Sequence, residues 1–172
     1  YGAKGGKLCI RGNAAGRPMI NSVGTPKLVV NGTALDYLAE SFMAGDPLEG
    51  GGFVVINGME FDEKGAIARL ETPYPGGNLF SLASGGAIYV RDPHLRLSDS
   101  QLNGGSFVEM TDADWAVVEP ILQRNEEHFG ITLQRLLTVD GEVSSPSEVY
   151  RKIVPVKSKT LHAEAAWVGH SD

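Results

Sequence analysis

The sequence predicts an all-β fold, a right-handed parallel β-helix (a single-stranded solenoid) with a short C-terminal helical cap. Three observations predict it. Glycine makes up 22 of 172 residues, well above the usual share of roughly 7%. Short apolar phrases recur with glycine at their ends. Helical signals are confined to the stretch after residue 110.

Four segments carry the repeat: Lys7-Leu8-Cys9-Ile10-Arg11-Gly12, Lys27-Leu28-Val29-Val30-Asn31-Gly32, Phe53-Val54-Val55-Ile56-Asn57-Gly58 and Ala87-Ile88-Tyr89-Val90-Arg91-Asp92. Each reads as a short strand with two inward apolar residues at period 2, such as Leu8 and Ile10 or Ile88 and Val90. Weaker copies start at Gly104-Gly105 and Gly76-Gly77. The first residues of the four lie 20, 26 and 34 positions apart, with insertions over Tyr37 to Leu48 and Glu63 to Pro75. A coil near the shortest interval suits a right-handed β-helix, whose hand follows from the chirality of parallel connections. Glycine supplies positive φ at sharp corners. Gly6, Gly12, Gly32, Gly52, Gly58 and Gly86 are therefore expected as structural corners. An antiparallel sandwich with glycine-rich hairpins is the alternative, though sandwiches seldom repeat one short phrase.

From residue 111 the pattern changes. Thr111-Asp112-Ala113-Asp114 is a capping box, and Trp115, Val118, Ile121 and Leu122 share one helical face. Pro120 is expected to start a second helical segment, with Gly130 placed to end it. Ser145-Pro146-Ser147-Glu148 is a second helix start, and Ile153-Val154-Pro155-Val156 is extended. The expected division is 1–110 glycine-repeat β-helix, 111–156 helical cap and closing strand, and 157–172 C-terminal tail, with the helices covering the end of the stack.

Composition narrows the function. The formal charge is -6, from 15 basic and 21 acidic residues, which argues against a nucleic-acid groove. No apolar run approaches the ~18 residues of a membrane span, and no signal peptide is visible. The chain is expected in the cytoplasm, and its opening on Tyr1 rather than Met suggests that an upstream piece has been removed. The single Cys9 excludes internal disulfides and Cys-rich metal sites. It is expected as a packed thiol.

No catalytic, cofactor or metal set is expected from the motifs. His94, His128, His162 and His170 form no ligand pattern. Gly12 to Arg17 lacks the third glycine of a dinucleotide fingerprint, and no phosphate loop is present. Asp92-Pro93-His94 with Ser98-Asp99 is an acid–base set only if the fold brings them together, and Asp-Pro commonly opens a turn. Asn31-Gly32-Thr33 matches a glycosylation acceptor but reads as a turn, as does Asp140-Gly141.

The phrases Gly5 to Gly12, Lys27 to Gly32, Gly51 to Gly58 and Gly85 to Asp92 resemble the C-terminal glycine-repeat (GXGXG) domain of the glutamate synthase large subunit. The segment His128-Phe129-Gly130-Ile131-Thr132 keeps the His and Thr of the family's next phrase, with Leu133 and Gln134 replacing its Gly-Ser. Tyr150-Arg151-Lys152-Ile153-Val154-Pro155 is similar to its closing phrase. The likeness spans residues 5 to 156.

The resemblance implies a non-catalytic structural module, possessing no cofactor of its own. It would pack the glutaminase and the FMN and iron–sulfur domains of a complex that moves ammonia from glutamine to 2-oxoglutarate. A β-helical module with a related repeat, carried by formylmethanofuran dehydrogenase, is the nearest alternative. An autonomous binding module using the insertions is another, and a polysaccharide-lyase type β-helix a third. The open N-terminal coil is also a surface for self-association.

Overall fold

The computed structural model describes residues 1–64 and 67–156. The expected tail, with His162 and His170, lies outside the described residues. The strands are β1 (Lys7–Ile10), β2 (Val23–Gly24), β3 (Lys27–Val30), β4 (Met43–Ala44), β5 (Phe53–Ile56), β6 (Met59–Phe61), β7 (Ile67–Arg69), β8 (Ala87–Arg91), β9 (Gly105–Val108), β10 (Thr138–Val139), β11 (Glu142–Val143) and β12 (Tyr150–Pro155). The helices are α1 (Asp112–Phe129), α2 (Leu133–Leu137) and α3 (Pro146–Val149).

The architecture is mixed α/β, not the all-β right-handed parallel β-helix expected from the repeat. A six-stranded, mostly parallel sheet of order β1-β3-β5-β8-β12-β9 carries the 18-residue helix α1. The four repeated phrases do form adjacent parallel strands, with Lys7 opposite Lys27, Lys27 opposite Phe53, and Phe53 opposite Ala87. The run stops there. Strand β12 enters antiparallel beside β8, pairing Tyr150 with Arg91, and β9 joins antiparallel on its far side.

Burial gives the physical reason. Strands β5 and β8 are buried at every position, and β3 at all but Lys27. Their apolar runs do not alternate, which marks strands covered on both faces. One face, bearing Leu28, Val30, Val54, Ile56, Ile88 and Val90, packs on residues of the long connections, including Leu38, Phe42, Tyr74 and Phe80. The other, bearing Val29, Phe53, Val55, Ala87 and Tyr89, packs on Val118, Ile121 and Leu122 of α1. So the helix covers a sheet face, not the end of a stack.

The connections are layered as well. Tyr37, Ala39 and Ser41 in one, and Asn78, Phe80 and Leu82 in the next, take left-handed φ between 51 and 64°. L-residues adopt this region at a cost of roughly 1–2 kcal/mol each. Hydrogen bonds between the stacked loops hold them there: Ala39 N donates to Pro18 O at 2.9 Å, Ser41 N to Ser81 O at 2.8 Å and Phe80 N to Leu38 O at 3.1 Å.

The expected corner glycines divide. Gly6, Gly58 and Gly86 have positive φ. Gly58, at φ 62°, also lies where an added Cβ would stand 2.7 Å from Pro73 Cβ. Gly32 and Gly52 lack positive φ but are pressed against the backbone of Gly12 and Pro26, whereas Gly12 meets open space without positive φ.

Thr111 caps α1, its side chain accepting from Asp114 N, and left-handed Gly130 ends it. Pro120 does not open a second segment, as the sequence suggested. It lies inside one continuous helix, on its exposed side. Tertiary packing of Val118, Ile121 and Leu122 on both sides of the proline carries the helix through. Ser145 precedes α3 with Pro146 at its first turn. Asp140 and Gly141, both at positive φ, turn β10 into β11 as a type I′ pair would.

Candidate functional site

The polar groups of the interior gather where α1 meets the sheet. Asn31 and Asn57 follow β3 and β5 directly, and both are fully buried. Asn31 Nδ2 donates to Asn125 Oδ1 of α1 at 2.7 Å, and Asn125 Nδ2 returns a bond to Asn31 Oδ1 at 2.8 Å. Asn57 Nδ2 donates to Asn31 Oδ1 at 2.9 Å, and Tyr150 Oη donates to Asn57 Oδ1 at 2.8 Å. The chain of bonds stitches helix, parallel strands and β12 together. Burial pushes the Tyr150 hydroxyl far above its ordinary pKa, with Arg91 opposing, so it stays a donor. The turn expected at Asn31-Gly32-Thr33 hid this role, and the buried Asn31 amide is no glycan acceptor.

A second cluster lies further along the same interface. Lys152 Nζ of β12 donates to Asp114 Oδ1 at 2.6 Å, and Tyr89 Oη donates to the same oxygen at 2.7 Å. Thr111 N and Oγ1 donate to Asp114 Oδ2 at 3.0 and 2.9 Å. Burial alone would raise the Asp114 pKa. The bonds from Lys152, the Thr111 backbone, Tyr89 and the Thr111 hydroxyl outweigh it and hold the carboxyl below its usual range. Burial, reinforced by Asp114, pushes the Tyr89 hydroxyl strongly upward. Asp114 is thus both helix cap and counter-ion, and only the cap was legible in its spacing.

The residues singled out as an acid–base set do not converge. Asp92, 2% exposed, accepts from Arg96 N, Leu97 N and Arg151 Nη1 at 2.8, 3.0 and 3.0 Å. His94 instead faces Asp140 at 3.5 Å and touches Arg69. Ser98 and Asp99 belong to a short 3-10 turn. Arg91, which lines one cleft together with His94, is buried and donates to Leu136 O and Thr138 O. Clefts of about 510 and 410 Å³ flank this point and share Arg69 and Arg91 in their walls. Sequence spacing could not find the His94–Asp140 contact, because it joins a turn after β8 to the β10–β11 hairpin.

Cys9 is half-buried; burial raises its thiol pKa, with Arg124 partly opposing. His128 is exposed in the last turn of α1. Among the described residues no cluster of His, Cys, Asp and Glu is placed to hold a metal ion. Among them, no helix is long and apolar enough to cross a membrane.

Each polar cluster therefore bonds one part of the fold to another. Compared with known proteins, the chain matches no family model, no curated protein and no solved structure.

Proposed function

We propose that the chain is a non-catalytic assembly module of a glutamate synthase complex, working in the cytoplasm beside the glutaminase and the FMN and iron–sulfur domains. The observation that carries this reading is the ordered set of phrases, Gly5 to Gly12 through Gly85 to Asp92 and then Tyr150 to Pro155. They resemble the glycine-repeat domain of that enzyme. The inward use of Asn31, Asn125, Asp114 and Lys152 supports it, since those side chains serve the fold.

In this reading the sheet and its helix form a rigid block against which catalytic domains are held. Rigid placement matters where an intermediate such as ammonia must pass between centres, because misplaced centres lose rate steeply. The test is a reconstitution assay. Alone, the chain is expected to release no ammonia from glutamine and to form no glutamate from 2-oxoglutarate. Added to the glutaminase and flavin subunits, it is expected to couple them. Turnover by the chain alone would overturn the proposal.

One observation favours a second reading, an autonomous binding module. A cavity of about 570 Å³ lies between the connections, lined by Arg17, Leu35, Asp36, Tyr37 and Pro75. A small-molecule thermal-shift screen, repeated on Tyr37→Ala, separates the two. A ligand whose stabilising effect vanishes in that variant supports the binding module.

A further inference from the structure

Strand β1 is one of the two edges of the six-stranded sheet, with β9 at the other. The carbonyls of Gly6 and Ile10 accept from Lys27 N and Asn31 N of the neighbouring segment. The alternation of a parallel ladder then aims the backbone groups of Lys7, Cys9 and Arg11 at the open side. Every residue from 1 to 17 is exposed or only partly buried, in contrast to β5 and β8. Leu8 is 57% exposed, and Ile10, Ala14 and Met19 only partly close one core at this end. Cys9 is the partly buried margin of the other.

The charge at this edge opposes that of the whole chain. Residues 1–35 contain Lys4, Lys7, Arg11, Arg17 and Lys27 and no carboxylate, although the chain carries -6. Lys7 and Lys27 stand directly opposite in register and share the wall of one shallow pocket. Like charges so placed repel. Arg11 stacks over Phe61 on that face, and Arg124 of α1 is close enough to act on Cys9. Among the described residues, the ion pairs include Arg17 with Glu40 but leave Lys4, Lys7, Arg11, Lys27 and Arg124 without a carboxylate partner.

We infer that β1 docks an acidic strand of a partner protein, which adds to the sheet edge. Its backbone pairs with Lys7, Cys9 and Arg11. Its carboxylates alternate with apolar residues, meeting Lys7 and Arg11 on the α1 side and covering Leu8 and Ile10 on the other. Main-chain bonds give such strand addition its affinity, and alternate side chains its specificity. A second copy of this chain is a poor occupant, because it would bring the same cations to the same edge. The inference deepens the assembly reading and rests on it for the partner's role.

The probes are two short peptides of identical length, one alternating valine with glutamate and the other valine with lysine. Binding to the full chain is read by amide hydrogen exchange and by titration. The valine–glutamate peptide is expected to bind at least about tenfold more tightly than the lysine peptide, protecting the amides of Lys7, Cys9 and Arg11. The Lys4→Glu/Lys7→Glu variant, shown folded by its melting curve, is expected to invert that preference. Cys9→Pro, which removes an outward N–H, is expected to abolish binding.

Equal binding of the two peptides would overturn the inference, as would protection confined to β9. Self-association of the peptide-free chain with the β1 amides protected would do so too. An oligonucleotide that binds as tightly as the acidic peptide would reduce the edge to a general polyanion surface, against the inference. Peptide binding without coupling in the reconstitution assay would remove the glutamate synthase reading and leave the docking edge intact. Coupling that survives Lys4→Glu/Lys7→Glu and Cys9→Pro would do the reverse.

Discussion

Asn31, at the end of a central strand, and Asn125, on the helix above it, exchange two side-chain amide hydrogen bonds, although 94 positions separate them in the chain. Both residues are fully buried. A buried amide left unpaired costs about 1–3 kcal/mol. Asn125→Ala is expected to lower stability by about 2 kcal/mol in denaturant melts. Because the two amides satisfy each other, Asn31→Ala/Asn125→Ala should be less destabilising than the sum of the singles. Strict additivity would show that the pair is not coupled.

The Asp114–Lys152 contact makes a pH prediction. The Asp114 carboxyl is held below its ordinary value, so in the unfolded chain it takes up its proton at higher pH than in the folded one. Its stabilising contribution is complete above the unfolded value of about 3.9. It is lost as pH falls from there through the folded value. Melting temperature should therefore fall across that acid window in the native chain and fall less steeply in Asp114→Asn. At neutral pH, Lys152→Met strands a buried carboxylate and is expected to cost about 3 kcal/mol.

Two glycines that look alike in the repeat should behave differently. Gly58 combines φ 62° with an imminent clash on Pro73, and Gly58→Ala is expected to cost about 2 kcal/mol or more. Gly12→Ala, facing open space without positive φ, should stay within about 0.5 kcal/mol. Paired melting curves decide it, and equal losses would contradict the assignment.

Pro120 interrupts the hydrogen-bond ladder of an otherwise regular helix on an exposed side. Replacing it restores a donor and removes ring crowding, so Pro120→Ala is expected to stabilise the chain by about 1–3 kcal/mol. Destabilisation would mean that a kink at this position serves the packing of α1 on the sheet.

Local structure was largely legible in the sequence. The phrases at Lys7, Lys27, Phe53 and Ala87 pair in the register their alignment suggests. Thr111, Gly130, Ser145-Pro146 and Asp140-Gly141 punctuate the chain where their chemistry requires. What failed was the global arrangement. Treating Ile88 and Val90 as the inward pair overlooked Tyr89, and Val29 and Val55 in the neighbouring strands, whose burial called for a second layer. The partners Asn31–Asn125, Tyr89–Asp114 and Asp114–Lys152 are non-local, and no spacing rule brings them together. Asn31, Tyr89, Asp114 and Lys152 also had a sufficient local reading as turn, strand or cap, which concealed their second roles.

Whether this chain assembles catalytic partners is decided by affinity capture of the tagged chain from its native cell extract, with mass spectrometry of what co-purifies. A glutaminase subunit is expected to co-purify together with a flavin- and iron–sulfur-containing synthase subunit. Recovery of the chain by itself, or of a molybdenum or tungsten formylmethanofuran enzyme in their place, would contradict the glutamate synthase reading.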